Sequence, residues 1–250
     1  PAEHFTRVIR ADQTVQGLLY CGTEQGLYLS SDDGKNWKPF QLNLPIVPIT
    51  DLALKDNDLI VATQGRSFWI LDDLNILWDE HKETLNKDEL RIYSAHPTVG
   101  FGGSAKTSLS SGTNHPRGIR LFMNIPETAK KAKLRILDAQ KKEIRVFSSS
   151  AKEKDDKFTF EEGMNTFVWN LRYPRADEFD GLLMWWGTLD GPVAPPGMYT
   201  AELTLDDETV EVQFEILLDP RTEGTAEDRQ AQFDFLLAIR NKLDETHDAI

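Results

Sequence analysis

Cysteine is nearly absent from this sequence of 250 residues, since Cys21 is the single one. A lone cysteine excludes an internal disulfide and any metal site built from several thiolates. Long apolar runs are also missing, and no stretch approaches the roughly 18–20 residues that span a bilayer. Positive charge is scarce too, because 28 Lys and Arg stand against 41 Asp and Glu. Phosphate backbones attract basic faces, so this balance argues against a nucleic-acid-binding protein.

Patterns for metals and cofactors are missing as well. The five histidines are scattered, and none of them shows the short spacing that zinc sites use. We therefore predict no bound metal and no cofactor. What is present is an ordinary globular composition, 40% hydrophobic and 28% charged, in a chain long enough for one or two domains.

An internal repeat organises the first third of the chain. Segment 19–33 aligns without gaps on segment 59–73, and the two copies share a Leu, a Thr and a closing Asp-Asp pair. Two repeats of about four short strands each are typical of propeller blades, so we predict two four-stranded blades over residues 1–95. Flanking strand patterns lie at 6–10 and 37–40 around the first copy, and at 50–54 and 90–93 around the second.

The first repeat ends in the motif S-x-D-x-G-x-N-W, which contains Ser30, Asp32, Gly34 and Trp37. The pattern predicts a hairpin turn in which Asp32 accepts backbone N–H groups, Gly34 supplies a positive φ, and Trp37 packs between sheets. It resembles the Asp-box of sialidase-type and sortilin-type propellers. The box lies on the outer rim of those propellers, so the resemblance implies a structural role for Asp32 and no catalytic residue here.

A further resemblance is carried by runs at 43–45, 62–73, 137–139, 163–174, 195–200 and 219–221. They resemble the bacterial BNR-repeat, sortilin-like "glycosyl hydrolase" proteins. The resemblance covers nearly the whole chain and implies the last two blades of a propeller followed by an accessory module. It also implies that upstream blades of the same protein are partners, and that the protein is secreted or periplasmic. An architecture is implied more firmly than a reaction, because the family's enzymatic label rests on its likeness to sialidases.

Beyond the blades the sequence predicts a linker, a second β domain and a helix. Residues 96–116 are rich in Gly and Ser and predict a linker loop. Residues 117–220 contain short strand patterns at the spacing of an immunoglobulin-like or fibronectin-like sandwich. Residues 221–250 predict one C-terminal helix.

The C-terminal helix carries both a start signal and an apolar stripe. Thr225 followed by Asp228 approximates a capping box. The stripe predicts that the helix docks onto a blade or the sandwich, with self-association of two chains as the second choice. It consists of Phe235, Leu236, Ile239 and Leu243, widened by Phe233 and Leu237.

Three residues are candidates for ligand binding. Arg66 either binds a carboxylate, as the arginines of sialidases do, or pairs structurally with Asp72 or Asp73. Trp185 and Trp186 either stack on a sugar ring or, as neighbours on a strand, divide between core and surface.

Two functions remain open at this point. In the first, the chain is a non-catalytic part of a glycosidase-like hydrolase that acts on or binds glycans, with the sandwich as accessory module. In the second, it belongs to a sortilin-like propeller that binds peptide or protein ligands without catalysis. Upstream blades would discriminate between them, because only an enzyme needs an acid and nucleophile pair around the central axis.

We predict that this chain by itself hydrolyses no aryl glycoside or sialoside. Two blades cannot close around a central site, since closed propellers typically have about 4–8 of them. The measurement is release of the aryl group from a substrate panel by the purified chain. Turnover that a point substitution in the chain abolishes would contradict the prediction.

Overall fold

The computed structural model describes residues 4–82, 88–100, 116–126 and 131–249. In these residues the chain is mainly β, with several sheets and one long C-terminal helix, as the sequence predicts. It divides into two compact units, Pro1–Leu85 and Asn86–Ile250. Neither helix in the described part of the chain combines the length and the hydropathy that crossing a bilayer requires.

Two antiparallel sheets make up the first unit. Their strand orders are β1-β2-β3-β4 and β5-β6-β7, and helix α1 follows the second sheet. The two copies of the sequence repeat correspond to the hairpins β2–β3 and β6–β7. The elements are β1 (Thr6–Ala11), β2 (Leu19–Thr23), β3 (Gly26–Ser30), β4 (Lys38–Pro39), β5 (Ile49–Lys55), β6 (Asp58–Thr63), β7 (Phe68–Leu71) and α1 (Asn75–Lys82).

One apolar core joins these two sheets. Tyr20 of the first sheet and Leu59 of the second are fully buried in it. At Gly22 the sheets approach closely, because an added Cβ would lie 2.6 Å from Ile49 and 2.8 Å from Val8. A glycine is therefore required there for the two repeats to stack.

Asp12 ties three elements of the first unit together. One carboxylate oxygen accepts the backbone N–H groups of Thr14 and Val15, at 2.8 and 3.0 Å. The other accepts the Tyr20 phenol at 2.8 Å and the Trp78 indole N–H at 2.9 Å. Burial, with the hydrogen bond to Asp12, raises the pKa of Tyr20 and keeps the phenol a donor. The loop after β1, strand β2 and helix α1 thus share one acceptor.

Two sheets also make up the second unit. Their strand orders are β13-β10-β8 and β12-β11-β14-β15-β9, with all neighbours antiparallel except β9 and β15. The elements are β8 (Arg91–Ile92), β9 (Thr98–Val99), β10 (Ile119–Ile125), β11 (Ala132–Leu137), β12 (Glu143–Ser148), β13 (Gly163–Trp169), β14 (Gly197–Leu205), β15 (Glu208–Leu217) and α2 (Ala226–His247).

A single core also joins the two sheets of the second unit. Alternate residues of β10, from Ile119 to Ile125, point into it and are buried. Its aromatic centre is formed by Trp169, Tyr199 and Phe214, whose ring centroids lie 5.8–6.1 Å apart. Rings at this distance and tilt add to the stability that their burial provides.

Strand β8 corrects the predicted boundary at residue 95. The sequence assigns residues 90–93 to the second blade as its fourth strand. In the structure Arg91 and Ile92 pair with Asn124 and Met123 of β10, and Ile92 lies in the core of the second unit. The sheet that contains the second repeat accordingly has three strands among the described residues. A four-residue pattern indicates a strand but does not specify which sheet receives it.

The predicted linker of residues 96–116 is partly a strand. Thr98 and Val99 form β9 and pair in parallel with Ile216 and Leu217 at the end of β15. Residues 101–115, the Gly- and Ser-rich part of the predicted linker, lie outside the described residues.

We expect Asp12→Ala to lower the free energy of unfolding of the first unit by about 2–4 kcal/mol, because four donors lose one charged acceptor. Urea unfolding followed by tryptophan fluorescence measures the change. Asp51→Ala is the matched control, since its side chain is 62% exposed and forms a surface ion pair with Arg10. That control is expected to cost about 1 kcal/mol or less. Equal effects of the two substitutions would contradict the role of Asp12.

Candidate functional site

The S-x-D-x-G-x-N-W motif forms one tight turn between β3 and β4. The Ser30 hydroxyl donates to the Asp32 carboxylate at 2.9 Å and accepts the Gly34 backbone N–H at 3.0 Å. Asp32 accepts the backbone N–H of Asn36 at 2.8 Å and its side-chain amide at 2.6 Å. Gly34 has a φ of +83°, which a side chain would strain. The Trp37 indole donates to the Gly34 carbonyl at 3.0 Å, so every motif side chain is bonded inside the turn.

The Asp32 carboxylate stabilises this turn as an anion. The backbone N–H of Asn36, followed by its side-chain amide, lowers the pKa of Asp32 to about 2. A general acid at neutral pH needs a raised pKa, so this environment does not suit Asp32 to that role. Trp37 is half-buried, not packed between sheets as predicted, because its indole lies against the turn backbone.

Arg66 lies in the turn between β6 and β7 and is exposed. Its carbonyl accepts the Trp69 indole N–H at 2.9 Å. Its exposed side chain is a cation at the surface of the first unit, and both carboxylate binding and structural pairing with Asp72 or Asp73 stay predictions.

Trp185 and Trp186 lie together at the tip of a long loop in the second unit. Their exposed fractions are 91% and 86%, and the neighbouring Leu183 and Met184 are exposed as well. The predicted division of the two tryptophans between core and surface is wrong. The residues belong to a loop, not a strand, so the alternation of side chains along a strand does not apply.

The loop that carries this tip, residues 171–196, has a fixed base. The Ala194 N–H donates to the Leu171 carbonyl at 2.7 Å, and the Ala176 N–H donates to the Leu189 carbonyl at 2.7 Å. The Tyr173 N–H also donates to the Pro192 carbonyl, at 3.0 Å. These bonds join the two sides of the loop as in a hairpin. The tip is thus exposed on an ordered stem.

Two core aromatics hold the ends of the stem. The Trp169 indole N–H donates to the carbonyl of Arg172 at 3.0 Å. The Tyr199 hydroxyl donates to the carbonyl of Pro195 at 2.7 Å, and burial raises the pKa of Tyr199, which keeps it a donor. The candidate binding tip is therefore connected through its backbone to the hydrophobic core.

Helix α2 begins with the predicted capping box. The Thr225 hydroxyl accepts the backbone N–H of Asp228 at 3.2 Å, and the Asp228 carboxylate accepts the backbone N–H of Thr225 at 2.9 Å. Docking involves only the edge of the predicted stripe, because the apolar residue that α2 buries, against Tyr173, is Phe233, one of the two residues that widen it. The predicted stripe stays 37–67% exposed at Phe235, Leu236, Ile239 and Leu243.

Polar contacts hold the second half of α2 against the loop stem. Asp244 accepts the backbone N–H of Asp177 at 2.8 Å and forms an ion pair with Arg240 at 3.0 Å. Arg240 also donates to the carbonyl of Arg175 at 3.1 Å. Side chains of the helix thus hold it against the loop by hydrogen bonds to backbone groups of residues 175–177.

No protein-family model and no curated protein sequence matches this chain. Among solved structures, it is similar to the extracellular domain of a proposed one-component system from B. thetaiotaomicron, with 11% sequence identity and a TM-score of 0.25. The similarity covers 87% of this chain and 26% of the other, so this chain spans about a quarter of that protein. A likeness this distant carries no conclusion about function.

We expect Asp32→Asn to remove a pH-dependent part of the stability of the first unit. The pKa of Asp32 is lowered from 3.8 to about 2. The carboxylate's stabilisation is therefore fully present above about pH 4 and lost as the pH falls toward 2. The measurement is the melting temperature at about pH 5 and about pH 2.5. The difference between the native protein and Asp32→Asn should be smaller at the lower pH.

Asp33→Asn is the control for this measurement. Asp33 is the exposed neighbour with a φ of 59°, a conformation that Asn also tolerates. The melting temperature of Asp33→Asn should match that of the native protein at both pH values. A difference between Asp32→Asn and the native protein that stays constant with pH would contradict the assigned role of the Asp32 carboxylate.

Proposed function

We propose that the second unit is a non-catalytic accessory module that binds carbohydrate through Trp185 and Trp186. The observation that carries the proposal is the exposure of both indoles at the tip of an ordered loop stem. Aromatic faces pack well on the apolar C–H faces of sugar rings. An indole has only two side-chain torsions, so ordering it on a ligand costs little conformational entropy.

Polar groups next to the tip support a sugar ligand. The exposed carboxylates of Glu178 and Asp180 precede the tip in the chain, and Thr188 follows it. Glu178 is oriented by an ion pair with Arg175 at 2.9 Å. A few polar groups beside an aromatic surface are the combination that fixes the orientation of small ligands.

The proposed context is a larger, secreted, glycosidase-like protein. In this assignment the two sheets of the first unit are propeller blades with an Asp-box, and upstream blades of the same protein complete the propeller. The sequence repeat, the shared core of the two sheets and the turn at residues 30–37 support the blades. Two sheets around one aromatic core support an immunoglobulin-like sandwich for the second unit.

A second function, the binding of an apolar peptide, is favoured by Leu183 and Met184. Both are exposed beside the tryptophans, at 93% and 48%. Aliphatic side chains do not stack on sugar rings, but they contact apolar peptide side chains. This function corresponds to the sortilin-like alternative, in which the protein binds without catalysis.

The test is retention of the full chain on a panel of immobilised polysaccharides that includes cellulose, xylan, chitin and a sialylated glycan. We expect at least one of them to retain the native chain. Trp185→Ala with Trp186→Ala should weaken that retention by about tenfold or more, since stacking on two aromatic faces is lost. The melting temperature should stay unchanged, because both side chains lie in solvent.

Leu183→Ala is the matched control at the same tip. It should keep the retention of polysaccharide if the indoles bind a sugar. If Leu183→Ala and the tryptophan variant lose the same amount of binding to an apolar peptide library, the peptide function is favoured instead. If no polysaccharide retains the native chain, the carbohydrate proposal is wrong.

A further inference from the structure

A cleft of about 1340 Å³ lies between helix α2 and the loops at one end of the second unit. Residues 229–243 of the helix form one wall, and residues 188–196 and 216–219 contribute to the other. This volume exceeds the roughly 300–1,000 Å³ of typical small-molecule sites, so the cleft admits an elongated ligand. It involves neither tryptophan of the loop tip.

The walls of the cleft carry large apolar side chains that are only partly covered, together with polar ones. Large apolar side chains from both walls line it and are 37–44% exposed. They are Leu236, Ile239 and Leu243 on the helix, with Val193 and Leu217 opposite. Three of the four residues of the predicted docking stripe therefore face a cleft, and Phe235 does not. Contiguous apolar surface of this kind marks a binding site more often than an inert surface.

The charged lining of the cleft has the opposite sign to the chain as a whole. Four arginines and two aspartates line it, in a chain of net charge -13. One of the aspartates, Asp219, accepts two hydrogen bonds from Arg221, at 2.8 and 2.7 Å, and is thereby neutralised. Two of the arginines, Arg172 and Arg240, donate to groups of the loop stem.

Arg229 is the arginine best placed to receive an anion. It lies in the first turns of α2, where the helix dipole also favours negative charge. Its side chain donates to the neutral side chain of Gln232 at 3.2 Å, and its charge also interacts with the carboxylates of Asp228 and of Asp219, the latter already bound by Arg221. Arg229 thus combines with the apolar stripe on the same helix to present a cation at one end of an apolar wall.

We propose that this cleft binds a long-chain carboxylate, with the hydrocarbon chain between α2 and the loops and the carboxylate at Arg229. The apolar stripe favours a hydrocarbon chain over a polar sugar, and the arginines favour an anionic head over a cation. An amphiphile with an anionic head satisfies both features through hydrophobic burial and a charge-assisted hydrogen bond. This site is distinct from the carbohydrate proposal, because neither Trp185 nor Trp186 lines it.

The test uses the full chain and displacement of a dansylated fatty acid by palmitate, followed by dansyl fluorescence. We expect saturable binding of one probe per chain. Ile239→Asp should weaken binding by about tenfold or more, because it places a charge in the apolar wall. Arg229→Gln should weaken the binding of palmitate by about tenfold and leave the binding of a neutral alcohol of the same chain length unchanged.

Matched controls lie on the same helix. Phe235→Asp changes an exposed residue that does not line the cleft, and Lys242→Gln removes a cation that pairs with Glu245 outside it. Both should bind palmitate as the native chain does. Non-saturable binding, equal losses for Phe235→Asp and Ile239→Asp, or equal effects of Arg229→Gln on acid and alcohol would overturn the proposal. Loss of the polysaccharide retention in Ile239→Asp would contradict the distinction between the two sites.

Discussion

Two hydrogen bonds from the core of the second unit determine where its exposed features lie. The Trp169 indole and the Tyr199 hydroxyl are buried donors, and their acceptors are the carbonyls of Arg172 and Pro195 at the two ends of one long loop. A buried donor left without an acceptor costs about 1–3 kcal/mol, so the packing of the aromatic core enforces the position of the loop. The tryptophan tip and one wall of the cleft both belong to that loop.

Helix α2 shows how polar contacts position an amphipathic element without burying its apolar stripe. Phe233 packs on Tyr173, while Arg240 and Asp244 bond to the loop stem through backbone groups. Directional hydrogen bonds fix the rotation of the helix about its own axis, whereas apolar contact alone would favour the rotation that buries most surface. The stripe is consequently left along the cleft, where a ligand can cover it.

The first unit depends on an equivalent constraint, a single carboxylate with several donors. Asp12 collects donors from a loop, a strand and a helix, while Gly22 lets the two repeats approach closely. The turn around Asp32 repeats the same principle on a smaller scale. In both places an acidic side chain has an architectural role, which is consistent with a chain rich in carboxylates and without a predicted acid–base pair.

The sequence was most informative where the pattern is local. The repeat predicts two hairpins, the motif of residues 30–37 predicts its turn, and Thr225 with Asp228 predicts the start of α2, because their partners lie a few residues away. It was least informative about partners distant in the chain. Residues 90–93 read as a strand, but nothing local specifies that β8 pairs with β10.

By itself, then, the sequence determined the mainly-β class, the repeated hairpins, the turn and the C-terminal helix, since short-range hydrogen bonds and side-chain periodicity encode each of them. Only the tertiary structure decided that both Trp185 and Trp186 are exposed, that the helix buries Phe233 while its stripe lines a cleft, and that Arg229 borders that cleft. These features depend on how far-apart segments pack, and burial is a property of the assembled core that no local pattern specifies.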